Sequence, residues 1–214
     1  MKVGFTPFVI ALLGIAAFAI WQHRRQRAMA REHHVRSYVF PSGVLEALAH
    51  SYPQLQLKDV QLAARALRQF FLVHMRAGGR LVAMPSKVAD ALWHAFILDT
   101  RAYRAFCQAA FGGYLHHVPE GAAMRAADKD QMATWRTWRL ACLEENINPL
   151  RATRLPLLFA LDAKLHIPNA TIHDPSSFKK PASAGGCGGG SCGGSSGDGG
   201  CGGGCGGGCG GGGD

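Results

Sequence analysis

The sequence predicts an all-α protein, and three observations predict it. Apolar residues between Pro41 and Leu165 recur at helical intervals, so that one face of each segment can be buried. The breaks between those segments carry helix-capping residues and glycine pairs. No stretch alternates apolar and polar residues for long enough to suggest a strand.

The elements follow in order. Val3 to Trp21 carry no charge, and as a helix at about 1.5 Å per residue they would span roughly 28 Å, close to a bilayer's hydrocarbon thickness. His23, Arg24, Arg25, Arg27 and Arg31 follow, against only Lys2 before the run. That asymmetry predicts a single-pass anchor over residues 1–22 in a bacterial inner membrane, with the N-terminus outside and the rest cytoplasmic. A cleaved signal peptide would place its positive charges before the apolar run and offer a small-residue cleavage site. The anchor implies membrane lipid as a partner, and residues 23–40 form a basic juxtamembrane segment suited to anionic headgroups.

A helical domain is expected over 41–172. Pro41-Ser42 opens a short helix closed by Tyr52-Pro53. Lys58 to Ala77 reads as a long helix stopped by Gly78-Gly79. Ser86 caps the next, through Val88, Leu92, Trp93 and Ile97. Asp99 starts another, carrying Tyr103, Phe106, Cys107, Ala110 and Phe111 before Gly112-Gly113. Pro119 to Ala127 reads as loop. Asp130 to Asn146 and Leu155 to Leu165 complete the set. Residues 173–184 form a linker, and 185–214 a glycine-rich tail with no apolar side chain to bury, predicted to be disordered.

Five of the seven cysteines lie in that tail: Cys187, Cys192, Cys201, Cys205 and Cys209. They cannot be core residues, so their role rests on sulfur chemistry. In a reducing cytoplasm that means thiols, metal thiolates or modified residues rather than disulfides. Cys201, Cys205 and Cys209 are separated by three glycines each, within the range of zinc-ligand spacings, and thiolates favour Zn(II) or Cu(I). Flexible glycine backbone would weaken such a site through its ordering entropy. A second reading makes the tail a substrate. Gly190-Ser191-Cys192-Gly193, set in polyglycine, resembles the core of the azole-modified microcins, in which serine and cysteine side chains are cyclised onto the preceding carbonyl.

The domain offers one further constellation. Lys87, Asp90, His94 and Arg101 fall along one side of a helix, and Asp90 lies one turn before His94. If the next helix folds back, Cys107 and His116 or His117 would approach His94. Imidazole and sulfur together suit zinc, with Asp90 as fourth ligand or as the group orienting a ligand. Against this, Cys107 sits on an apolar stripe, where cysteine is usually a small buried hydrophobe. Cys142, at helical spacing from Trp135 and Trp138, reads as core.

The formal charge of +9 includes the juxtamembrane arginines, and the other basic residues are scattered without a nucleic-acid-binding motif. No nucleic-acid partner is expected. The chain holds no phosphate loop, dinucleotide fingerprint, serine elbow or paired acidic motif, so catalysis is not expected, although a His/Cys metal-dependent enzyme stands as a third reading.

The run Met84–Leu98 (MPSKVADALWHAFIL), with Tyr103, Phe106-Cys107 and Tyr114-Leu115-His116-His117-Val118-Pro119, resembles the glycine-rich domain-containing protein family of bacteria and, more divergently, plants. Pro156 to Lys164 and the glycine-cysteine tail resemble its bacterial members. The resemblance implies a helical domain and transfers no catalytic residue. The leading expectation is therefore a helical domain that docks an unidentified protein partner, its cysteine tail acting in metal binding or thiol chemistry.

Overall fold

The computed structural model describes residues 6–117 and 127–178. Among them are seven α-helices and no strand: α1 Thr6–Ser37, α2 Ser42–Ser51, α3 Leu57–Ala77, α4 Lys87–Leu98, α5 Thr100–Phe111, α6 Ala127–Glu144 and α7 Leu157–Lys164. A short 3-10 turn follows at Pro175–Ser177. The all-α class holds. The chain divides into two units, Met1–Pro181 and Ala182–Asp214; the second, like the loop expected at Pro119 to Ala127 for most of its length, lies outside the described residues.

The helix ends follow from local chemistry. The backbone N–H of Gln56 donates to Asp59 Oδ2 at 2.9 Å, which satisfies an amide at the start of α3. At its far end Gly78 takes the left-handed conformation, φ 61°. Ser86 Oγ accepts from Ala89 N at 3.1 Å and opens α4. Asp99 Oδ1 accepts from Ala102 N at 3.2 Å and opens α5. Gly112, φ 77°, closes α5. The last helices end without glycine: Asn146 and His166 adopt positive φ, and Ile147 N and Ile167 N reach back to the carbonyls of Cys142 and Asp162.

α3 is the hub, in contact with α1, α2, α4, α6 and α7. Its buried face runs from Val60 through Ala63, Leu67, Phe70 and Phe71 to Ala77, a stripe at helical spacing. Phe71 meets Trp93 of α4 and Phe106 of α5, joining three helices in one aromatic cluster. The core continues past the last helix. Phe178 stacks on Trp138 at 4.2 Å between centroids, and His173 packs against Phe159.

Two helices borrow their capping from elsewhere in the chain. Asp162 of α7, only 3% exposed, accepts from Ser86 Oγ at 2.5 Å and from the N–H groups of Lys87 and Val88 at the start of α4. At the start of α7, Leu157 N donates to Glu145 Oε1 at 2.5 Å and Leu158 N to Gln69 Oε1 at 2.9 Å. Gln69 Nε2 donates in turn to Glu145 Oε1. Burial pushes Glu145 upward, but the hydrogen bonds from Leu157, Gln69 and Arg154 outweigh it and hold the carboxyl below its ordinary range.

The expected membrane anchor is corrected. Among the described residues, no helix is long and apolar enough to cross a membrane. The apolar run and the basic segment that follows it form one unbroken helix, α1. The single-pass inner-membrane placement, and the cytoplasmic orientation derived from it, fall with the anchor. The second half of α1 is part of the domain: Val35 is fully buried, and Glu32 and Arg36 join an ion-pair network with Arg76 of α3 and Glu144 of α6.

Candidate metal centre

The site begins with the pitch of α4. Residues four apart share a helix face, so Asp90 and His94 stand one above the other. His94 Nδ1 lies 2.9 Å from the Asp90 carbonyl oxygen and 3.2 Å from Asp90 Oδ2. A carbonyl only accepts, so Nδ1 carries the proton and donates to it. That leaves His94 Nε2 with a lone pair to offer.

His117 arrives from the segment after α5, held there by two contacts. Tyr103 of α5 accepts a hydrogen bond from Trp93 Nε1 at 3.1 Å and donates to the Leu115 carbonyl at 2.6 Å, tying the segment down over α4. The His117 ring packs on Trp93 with centroids 4.4 Å apart. Its Nε2 then sits 2.9 Å from His94 Nε2 and 3.5 Å from Asp90 Oδ1.

Asp90, His94 and His117 each offer one ligand atom, and these atoms all lie within 4.8 Å of one another. His94 is half exposed, while Asp90 and His117 are more enclosed, at 31% and 13% side-chain exposure. Burial pushes the Asp90 carboxyl up, and the two imidazoles pull it back only in part. Two Nε2 atoms 2.9 Å apart must share a proton between them. A tetrahedral zinc with Zn–N near 2.05 Å holds two such atoms about 3.3 Å apart, so replacing the proton by metal asks for an opening of roughly 0.4 Å. The carbonyl on His94 Nδ1 is the kind of outer partner that fixes the tautomer of a metal-bound histidine.

The expected site residues separate. The structure brings together His94 and His117, with Asp90 beside them. Cys107 is fully buried, burial pushes its thiol up, and it is not among the grouped ligand atoms. His116 is exposed and rests on Tyr114 at 4.9 Å. Cys142 is buried as read, its thiol pushed up to about 12. Cys187, Cys192, Cys201, Cys205 and Cys209, the tail metal ligands of the sequence reading, lie outside the described residues, as does the Gly190–Gly193 core. Sequence reading missed the supports. Tyr103 and Trp93 looked like core aromatics, and only their hydroxyl and indole N–H signalled that each would need a polar partner when buried.

No curated protein and no solved structure matches the chain. The expected membership in the glycine-rich domain-containing protein family is corrected, because the family model that matches is a different one. The matched stretch takes in the packed half of α1, all six later helices and the histidine cluster. With the match covering residues 30–194, more than half of its length, the chain belongs to the UCP032817-like family.

Proposed function

We propose that this helical domain binds a divalent transition metal, zinc by its ligand chemistry, through Asp90 Oδ1, His94 Nε2 and His117 Nε2. The observation that supports this is the convergence of the three donors, from one turn of α4 and from the segment tied down by Tyr103. Two imidazoles and one carboxylate suit zinc better than calcium or magnesium, which prefer all-oxygen shells. Three protein ligands leave a fourth position for water or a bound molecule. The tail cysteines would form a separate, softer thiolate arm, with Zn(II) or Cu(I) as its metals.

Silencing the tail lets the two arms be measured apart. A full-length chain with all five tail cysteines changed to serine should hold one zinc after loading and desalting. It should lose that zinc on His94→Ala and on His117→Ala, with both variants still folded by circular dichroism. Cobalt in the serine variant should give d–d bands without a thiolate charge-transfer band. A serine variant that takes up no zinc would end the domain reading. A wild-type chain that binds no more metal than the serine variant would end the thiolate reading.

A further inference from the structure

A second feature lies apart from the histidines. α1, α3, α6, the segment before α7 and α7 itself enclose a cleft of about 540 Å³ that shares no residue with the metal cluster. Its walls are strongly basic: Arg36, Arg65, Arg68, Arg154 and Lys164 against Glu144 and Glu145, an excess of three positive charges. The carboxylates are already committed. Glu144 pairs with Arg36 at 2.5 Å, and Glu145 with Arg154 at 2.5 Å. Arg65, Arg68 and Lys164 have no carboxylate partner among the described residues.

Arg68 is the telling member. It is half-buried, with Nη1 donating to the Tyr38 carbonyl at 2.9 Å and the guanidinium above the Phe40 ring. Burial lowers its pKa, and the charge of Arg65 one turn away on α3 acts in the same direction. Two like charges on one helix face repel each other. Both line the cleft, where a guanidinium can donate to the oxygens of an anion. Lys164 has a simpler role open to it as a cation at the end of α7, where the helix dipole favours positive charge. Leu62, Leu72 and Leu155 supply apolar wall beside the charges.

We propose that this cleft binds a small phosphomonoester, its dianionic phosphate between Arg65 and Arg68 and its organic part against Leu62 and Leu155. The volume fits a small molecule, within the roughly 300–1,000 Å³ of such sites. The proposal is independent of the metal reading.

Calorimetry on the full chain, with chelator present, tests it using phenyl phosphate and inorganic phosphate as probes. Phenyl phosphate should bind saturably and more tightly than inorganic phosphate. Arg65→Gln, at an exposed side chain that caps nothing, should raise the phenyl phosphate Kd about tenfold, the loss of a charge-assisted contact. Arg101→Gln, away from the cleft, should leave it within twofold. No saturable binding up to about 10 mM, an unchanged Kd in Arg65→Gln, or equal weakening by Arg101→Gln would each overturn the proposal.

Discussion

At the residue scale, Tyr103 decides where His117 goes. Its hydroxyl is at once the acceptor for the Trp93 indole and the donor to the Leu115 carbonyl, two residues before the ligand. Tyr103→Phe keeps the ring and removes both bonds. It should cost about 1–3 kcal/mol in urea unfolding, the price of unsatisfied buried polar groups, and weaken zinc binding about tenfold while His94 stays in place. Calorimetric zinc titration of the serine-tailed chain checks the second effect; an unchanged affinity would detach Tyr103 from the site. This residue also marks how far the sequence could be read. Asp90 and His94 were legible as a pair because helical pitch alone brings them together. His117 was legible as a candidate and not as the choice over His116, since that choice depends on a tyrosine–carbonyl bond across the turn after α5. Cys107 drew attention through its chemistry, but the apolar stripe it shares with Phe106 and Ala110 sends it into the core.

At the scale of the element, helix ends were the most legible feature. Gly78, Ser86, Asp99 and Gly112 terminate or open helices where their local preferences say they should. The continuity of α1 was not legible in the same way. A change from apolar to basic composition at His23 reads as a boundary, yet nothing in Gln22-His23-Arg24-Arg25 opposes helix, and the backbone runs straight through. Capping from a distance was equally hidden, because no local pattern tells Asp162 that it will cover the start of α4. Asp162→Ala strips three donors of their acceptor in a buried place and should destabilise the fold by about 3 kcal/mol in chemical denaturation. Gly112→Ala should cost about 1 kcal/mol or more by the same measurement, since φ 77° is strained for any residue with a Cβ and the new atom would stand 2.7 Å from Arg31 Nη2.

For the whole molecule, acid is the informative stress. Glu145 is held below its ordinary range by the α7 amides, Gln69 and Arg154 acting against burial. Glu32 is lowered first by the hydrogen bond from Arg36 and then by the charges of Arg36 and Arg76. A carboxyl whose folded pKa is depressed stabilises the fold above its unfolded pKa, and that contribution fades as pH falls through the folded value. Stability should therefore be level near neutrality and decline below about pH 4.5, the ordinary value for glutamate. Glu145→Gln should flatten that decline in a series of urea melts, and an unchanged slope would exclude Glu145 as its source. The sequence foresaw a folded region beginning near Pro41, whereas the packing takes in Val35 at one end and Phe178 at the other.

The last of these contacts has a practical sequel. Phe178 lies nearly flat on Trp138, with 9° between the rings, and the indole N–H is fastened to the Pro149 carbonyl. The aromatic pair clasps the segment after α7 to α6. A protease that trims beyond Phe178 leaves the clasp shut, and one that cuts before His173 pulls the lid off Trp138. A red shift in tryptophan emission, against the constant signal of the three other tryptophans, would mark the second cut.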